Sequence, residues 1–206
     1  MKVVIIGAGT GAANVADILI HDKNFKLYGF VGTTEEEGKF TGKKLYNEIP
    51  FLGDHSILPK LKENDIMGFV IAIGINTIRE KSYYEAVQYK LVPINVVSSH
   101  AIVNPSVKIG KGVVICAGSV ILHDAEIGNN TFIGPGVIIE NNAKIGENCI
   151  IASSCVIGGE CEIGRNVKLD VRSTLTHRVN IGKNQQVGAG VIVSESLPDL
   201  VRSEFE

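Results

Sequence analysis

Residues 126–163 read EIGNNTFIGPGVIIENNAKIGENCIIASSCVIGGECEI, and an isoleucine returns at every sixth position: Ile127, Ile133, Ile139, Ile145, Ile151, Ile157 and Ile163. Followed outward, the same beat starts at Val103 and passes Ile109, Ile115 and Ile121. It continues through Leu169, Leu175, Ile181 and Val187 to Val193, with none of the sixteen slots broken. Four positions after each aliphatic residue lies a second slot, holding for example Ser119, Ala125, Thr131, Ala143, Cys149, Cys155 and Cys161; only Gln185 departs from its small or β-branched character. A period of six suits no α-helix. It fits a short strand plus a turn, with two residues of alternate parity pointing inward. Three such units close a triangular coil of 18 residues, and each coil must stack on the next at about 4.8 Å because one coil has no core of its own. The expected fold of this half is therefore a left-handed parallel β-helix of five coils. Glycine after many aliphatic positions (Gly110, Gly128, Gly134, Gly146, Gly158, Gly164, Gly182, Gly188) is expected to serve tight turns.

The residue before each aliphatic position should face outward, and at intervals of 18 these residues separate by face. Lys108, Glu126, Lys144, Glu162 and Asn180 form a charged row, whereas Val120, Ile138, Val156, Thr174 and Ile192 form an apolar one. The third row is mixed, with Val114, Phe132 and Ile150 followed by Lys168 and Gln186. A long exposed apolar row predicts burial against other copies, and a three-fold oligomer is the simplest closed arrangement.

Upstream, Lys2 to Ile6 reads as a buried strand, and Gly7-Ala8-Gly9-Thr10-Gly11-Ala12 opens an apolar-periodic helix through about Ile20. Lys26 to Val31 is a second strand, Phe69 to Ile73 a third, followed by a helix to about Lys90 and a last strand from Val92 to Val97. This order opens a dinucleotide-type fold in which helix N-terminal amides cradle phosphate. The acidic ribose ligand expected at the end of the second strand is missing, since Gly32-Thr33-Thr34 stands there before Glu35 to Glu37, so a redox NAD site is disfavoured. The chain divides into a Rossmann-like nucleotide-binding domain, residues 1–98, and the β-helix, residues 99–206.

Composition narrows the partners. With 20 Lys+Arg against 22 Asp+Glu in 206 residues and no basic run, neither nucleic acid nor an anionic membrane surface has an electrostatic footprint. The apolar start is too short for a membrane span or signal peptide, so the expected location is the cytoplasm. Four cysteines with no CxxC pair predict free thiols and no zinc site.

Taken together, Ile5-Ile6-Gly7-Ala8-Gly9, Ile71-Ala72-Ile73-Gly74-Ile75-Asn76-Thr77-Ile78-Arg79 and the hexapeptides resemble the bacterial nucleotide-sugar acetyltransferases of bacillosamine, perosamine and sialic-acid pathways. The resemblance covers nearly the whole chain. It implies a homotrimer that moves an acetyl group from acetyl-CoA to a UDP-, GDP- or dTDP-linked sugar in surface-glycan biosynthesis, without a metal. It also implies nucleotide contacts from Gly7, Ala8, Gly9, Thr10 and Gly11, with Gly74, Asn76 and Arg79 beside them. Gly159 matches a family glycine of the groove that holds CoA, and Ile150 and His177 are carried over with it.

The catalytic pair departs from the family pattern. Relatives carry His followed by an acid after a Val-Ile-Glu-like strand, where the His takes a proton and the carboxylate fixes its tautomer. This chain has Ile139-Glu140-Asn141-Asn142, and asparagine is no base near neutrality. A second family His, in the glycine-rich loop, falls on Gly11. Eighteen residues before Asn141-Asn142 lies His123-Asp124, at the same corner one coil earlier, and His177-Arg178 lies two coils later. Three readings of His123 stand side by side: an exposed turn residue with an Asp beside it, a catalytic dyad displaced by one coil, with Asn141 positioning the acceptor, and another role at a subunit contact. Without a base, N-acylation is favoured over O-acylation, because an amine is already partly neutral near pH 7. The alternative from another class is a silent trimeric scaffold that binds a nucleotide sugar. A metal site of three converging histidines is disfavoured, since His123 and His177 are three coils apart. The C-terminal Ser196-Leu197-Pro198-Asp199-Leu200, leading to Glu206, replaces the family's Gly-Val-Pro-Ala-Lys-like tail.

Overall fold

The computed structural model describes residues 1–46 and 48–200, so Glu206 lies outside the described residues. The chain divides into two units, Met1–Val96 and Val97–Glu206.

The first unit is a six-stranded sheet flanked by helices. Its strands are β1 (Lys2–Ile6), β2 (Lys26–Gly32), β3 (Lys44–Leu45), β4 (Ile49–Asp54), β5 (Ile66–Ile71) and β6 (Val92–Pro93). Helices α1 (Thr10–His21), α2 (Thr34–Phe40) and α3 (Asn76–Gln88) and a 3-10 helix, His55–Asn64, connect them. The order is β3-β4-β2-β1-β5-β6, all parallel except the β3–β4 pair. The runs Val3–Ile6 and Phe69–Ile71 are buried because helices cover both faces of a parallel sheet. The third strand expected from sequence starts earlier and ends at Ile71. Beyond it Ala72 donates its N–H to the Ile6 carbonyl at 2.7 Å, and the chain leaves the sheet. Residues 34–64, unassigned by periodicity, hold α2, the β3–β4 hairpin and the 3-10 helix, all of them short or interrupted, as at Pro59.

The second unit is the left-handed parallel β-helix. Seventeen two-residue strands, from Val96–Val97 to Ile192–Val193, build three sheets of six, six and five strands. The opening rung lies one unit upstream of Val103, so the expected last strand, Val92 to Val97, is two elements. Val92–Pro93 pairs with β5, whereas Val96–Val97 starts the first sheet of the β-helix. Register is 18 throughout, for example Ile121↔Ile139, Ile139↔Ile157 and Ile157↔Leu175. The aliphatic rows and the small slots, Cys149, Cys155 and Cys161 among them, form one continuous buried core.

Corner chemistry differs from the expectation for glycine. The left-handed residue of each turn is two positions later than those glycines: every sixth residue from Gly112 to Gly190, including Asp124, Asn130, Asn142, Asn148, Glu160 and Arg178, has φ between 52° and 72°. All of the glycines after the aliphatic positions except Gly188 are needed for space instead. A Cβ on Gly128 would lie 2.6 Å from the Gly146 carbonyl carbon, and one on Gly146 2.7 Å from that of Gly164, in the next coil. At one corner the left-handed residues are asparagines whose side chains run up the stack. Asn130 donates to Asn148 at 2.8 Å, Asn148 to Asn166 at 2.6 Å and Asn166 to Asn184 at 3.3 Å.

The C-terminal segment closes the last coil. Leu197 N–H donates to the Asn180 carbonyl at 2.8 Å, and its carbonyl accepts Gly182 N–H at 2.7 Å, adding a rung beside Asn180–Ile181. Gln185, the one exception among the small slots, donates Nε2 to the Pro198 carbonyl at 2.7 Å, so its amide serves this closure.

Gly146→Ala is expected to lower stability by about 1–3 kcal/mol, the usual cost of overpacking. A thermal melt unchanged from the parent would show that the corner has room. All four cysteines are free and buried, and burial pushes the Cys116 thiol up to about 12. The folded protein should therefore give no fast reaction with a disulfide reagent at pH 8 and four thiols after denaturation; one fast thiol in the native state would contradict this packing.

Candidate functional site

On the β-helix, one corner stacks His123, Asn141, Gly159 and His177 at successive 18-residue steps. His123 Nδ1 lies 2.9 Å from Asp124 Oδ2, so the two residues form the His–acid pair. The left-handed φ of Asp124, 54°, turns the chain here, and its N–H donates to Ser106 Oγ in the preceding coil at 2.8 Å. With a carboxylate on Nδ1, the ring's Nε2 is left as the basic nitrogen. The imidazole side chain is 63% exposed in a single chain.

Asn141 and Asn142 are tied to the same residue. Asn141 Oδ1 accepts the His123 N–H at 3.1 Å, and Asn142 donates its own N–H to the His123 carbonyl at 2.9 Å. Asn141 thus braces the corner beside the His123–Asp124 pair.

One coil further, Glu140 Oε2 accepts the Gly159 N–H at 2.8 Å. A Cβ at Gly159 would stand 3.1 Å from His177 Nδ1 and 3.4 Å from the Asn141 carbonyl oxygen, so only glycine leaves this space open. His177, flanked in sequence by Arg178, has an acid beside it after all: Glu160 Oε1 from the previous coil is 3.5 Å from Nε2. Arg178 also binds Glu160, through Nε at 3.0 Å and Nη2 at 3.3 Å. That hydrogen-bonded guanidinium holds the Glu160 carboxyl below the ordinary carboxylate range, with a smaller contribution from His177. Ile150 is on a different face and is buried at 7% exposure, away from this corner.

In the first unit the glycine-rich loop lies at the C-terminal ends of β1, β2 and β5. Gly7 has φ +112°, and a Cβ there would be 2.6 Å from the Ala72 carbonyl oxygen, so glycine is required where the ends of β1 and β5 approach. Gly9 is the N-cap of α1 with no side-chain cap, and Gly9, Gly11 and Gly74 have open space on the side a Cβ would take. Thr10, the first residue of α1, is exposed. Asn76 begins α3 and is buried. Arg79 is 1% exposed, and its Nη1 donates to the Ile71 carbonyl at 2.8 Å, which fixes the end of β5 rather than presenting the guanidinium to solvent.

Sequence reasoning missed Glu36. Thr33 caps α2 in a reciprocal capping box, accepting Glu36 N–H at 3.3 Å while Glu36 Oε2 accepts Thr33 N–H at 2.8 Å. The other oxygen, Oε1, accepts Ala8 N–H at 3.1 Å, so an acidic side chain does stand at the end of β2. Its signal was present as Thr33-Thr34-Glu35-Glu36, the S/T-x-x-E pattern. Tyr46 Oη adds a bond to the Gly9 carbonyl at 3.2 Å. Among the described residues no group of three His, Cys, Asp or Glu could hold a metal ion, and no helix is long and apolar enough to cross a membrane.

Residues 2–86 match the PglD N-terminal domain family, and residues 124–159 match the bacterial transferase hexapeptide (six repeats) family. Comparison with curated protein sequences gives no match. Among solved structures, a histidine-to-alanine variant of GDP-perosamine N-acetyltransferase from Caulobacter crescentus, in complex with CoA and GDP-perosamine, matches with a TM-score of 0.89. It is 29% identical, over 97% of this chain and 91% of that one. PerB from the same organism, with the same two ligands, matches with a TM-score of 0.69 at 29% identity, over 98% and 92% of the two chains. The acetyltransferase domain of PglB from Neisseria gonorrhoeae shares the fold, with a TM-score of 0.66 at 20% identity over 96% and 93%. The chain thus joins a PglD-type N-terminal domain to an unbroken hexapeptide β-helix, the build of the nucleotide-sugar acetyltransferases to which it is similar.

Proposed function

We propose that this chain is an acetyl-CoA-dependent acyltransferase that N-acetylates a nucleotide-linked amino sugar for surface-glycan assembly in the cytoplasm, working as a homotrimer. The observation that carries the reading is the His123–Asp124 pair, 2.9 Å apart, on the corner where the family's base slot holds Asn141. Asp124 on Nδ1 orients the ring, and Nε2 takes the proton of the sugar amine. The donor supplies an acetyl thioester: the amine nitrogen bonds to its carbonyl carbon, the carbon–sulfur bond breaks, and the proton ends on the departing thiolate. An amine asks less of the base than a hydroxyl would, which favours N-acylation.

The Gly159 space fits the donor, since a Cβ would fill it. Gly159 and His177 would line the donor's path, whereas Ile150, buried on another face, stands apart from it. The two relatives at 29% identity hold CoA and GDP-perosamine. A histidine-to-asparagine variant of perosamine N-acetyltransferase also holds both, so in that protein asparagine does not prevent binding. The trimer rests on the apolar outward row, where Ile102 is 66% and Ile192 69% exposed in a single chain. Sedimentation equilibrium at micromolar concentration should give about three times the chain mass of 22.1 kDa. A single-chain mass would remove the proposed seam.

The second reading, a binding scaffold without turnover, draws on Asn141 and Asn142, which occupy the base slot and serve as corner braces. Thiol release from acetyl-CoA across a panel of UDP-, GDP- and dTDP-linked amino sugars separates the two, with calorimetry of acetyl-CoA binding alongside. Binding with no turnover favours the scaffold. With an active sugar in hand, His123→Ala should lower kcat by about 10²-fold or more. Full rate in that variant eliminates the displaced dyad.

A further inference from the structure

The corner column has an order. From its N-terminal side it runs His123, Asn141, Gly159, His177, and successive members are one coil, about 4.8 Å, apart. With the donor's thioester at Gly159, His123 and Asn141 lie to one side of the reacting carbon and His177 to the other. His123 is two coils from that level. His177 is one coil from it and reaches back: the position a Gly159 Cβ would take is 3.1 Å from Nδ1 and 3.3 Å from Cε1 of its ring. The Nδ1 edge of the imidazole therefore borders the space that Gly159 leaves.

The other ring nitrogen is held. Nε2 lies 3.5 Å from Glu160 Oε1, and Arg178 fixes that carboxylate through Nε on Oε2 at 3.0 Å and Nη2 on Oε1 at 3.3 Å. The guanidinium keeps Glu160 ionised. A chain of contacts from Arg178 through Glu160 thus ends on Nε2 and leaves Nδ1 as the nitrogen that exchanges a proton. The His123–Asp124 pair has the opposite polarity, with its acid on Nδ1. The further charged groups around the His177 ring are Glu140, which accepts the Gly159 N–H, and Glu195, eighteen residues on in the same column.

Acyl transfer to an amine moves two protons: one leaves the nitrogen as it bonds to the carbonyl carbon, and one reaches sulfur as the carbon–sulfur bond breaks. His123 is placed for the first and His177 for the second. We infer that His177 is the general acid of the reaction, donating its Nδ1 proton to the departing thiolate, with Glu160 as its positioning residue. The electron pair of the carbon–sulfur bond goes to sulfur, sulfur takes the His177 proton, and the amine proton goes to His123. Exchange with water then returns the first ring to its neutral form and the second to its charged one. This rests on the proposed acyl transfer and on the donor's place at Gly159.

The test is the pH profile of kcat with acetyl-CoA and an amino sugar that turns over. A base and an acid acting together give a bell, and removing one of them deletes one limb. His177→Gln should lower kcat by about tenfold or more, erase the alkaline limb, keep the acidic limb and leave KM for acetyl-CoA within about threefold. Glu160→Ala should also lower kcat, by a smaller factor of about threefold or more, again with KM kept. Both side chains are about half exposed, so neither variant removes a core residue. An alkaline limb that survives in His177→Gln overturns the general-acid role and leaves acyl transfer standing, whether the rate is unchanged or only KM rises as for a simple donor contact. A wild-type protein that turns over no amino sugar overturns the acyltransferase reading, and this inference with it.

Discussion

The stacking of one 18-residue coil on the next is the constraint from which the rest of the β-helix follows. Gly128 donates to the Ile145 carbonyl, Gly146 to Ile163 and Gly164 to Ile181, each at 2.7–2.8 Å. These bonds satisfy backbone groups that would otherwise be stranded in a core of isoleucine and small side chains. They hold only if every coil has the same length, which is why the aliphatic beat is never broken. At the corner of Gly110, Gly128, Gly146, Gly164 and Gly182 they also leave no room for a Cβ.

The same register builds the candidate site. Residues 18 apart meet at one corner whatever their chemistry, so His123, Asn141, Gly159 and His177 form a column without being neighbours in sequence. Single-residue exchanges along such a column alter chemistry while the scaffold stays put. Asn141 illustrates this: where the family pattern places a base, it accepts a backbone N–H, and the His–acid pair occupies the rung before it. Glu160 likewise reaches both His177 and Arg178 from one coil away.

Legibility in the sequence followed the strength of each period. The β-helix could be read almost to the residue because one beat repeats through every coil; its first rung escaped because Val96–Val97 joins a run of strand-like residues from Val92. The strand–loop–helix opening at Lys2–His21 was equally plain, whereas α2, the β3–β4 hairpin and the 3-10 helix are too short for periodicity to separate from loop. The contact between His123 and Asp124 joins neighbours in sequence, and it is common to the exposed-turn and displaced-dyad readings of that histidine. The burial of Arg79 was not anticipated, since an arginine in a polar-looking motif gives no sign that it turns inward to a strand end. Glu36 was passed over because its position was counted along the strand, although a capping box brings the side chain back by one helical turn.

The final segment has a consequence for how many such molecules join. A stack of coils has no intrinsic length: its last rung offers bare amides and carbonyls to any similar edge, and end-on growth would produce a fibre. Leu197 occupies those groups beside Asn180–Ile181, with the Asn184 amide and Gln185 anchoring the segment on either side. On that one face the tail is a stopper: the edge of the Asn180–Ile181 sheet is already taken, so end-on pairing of a second stack is blocked there despite the repetitive sequence.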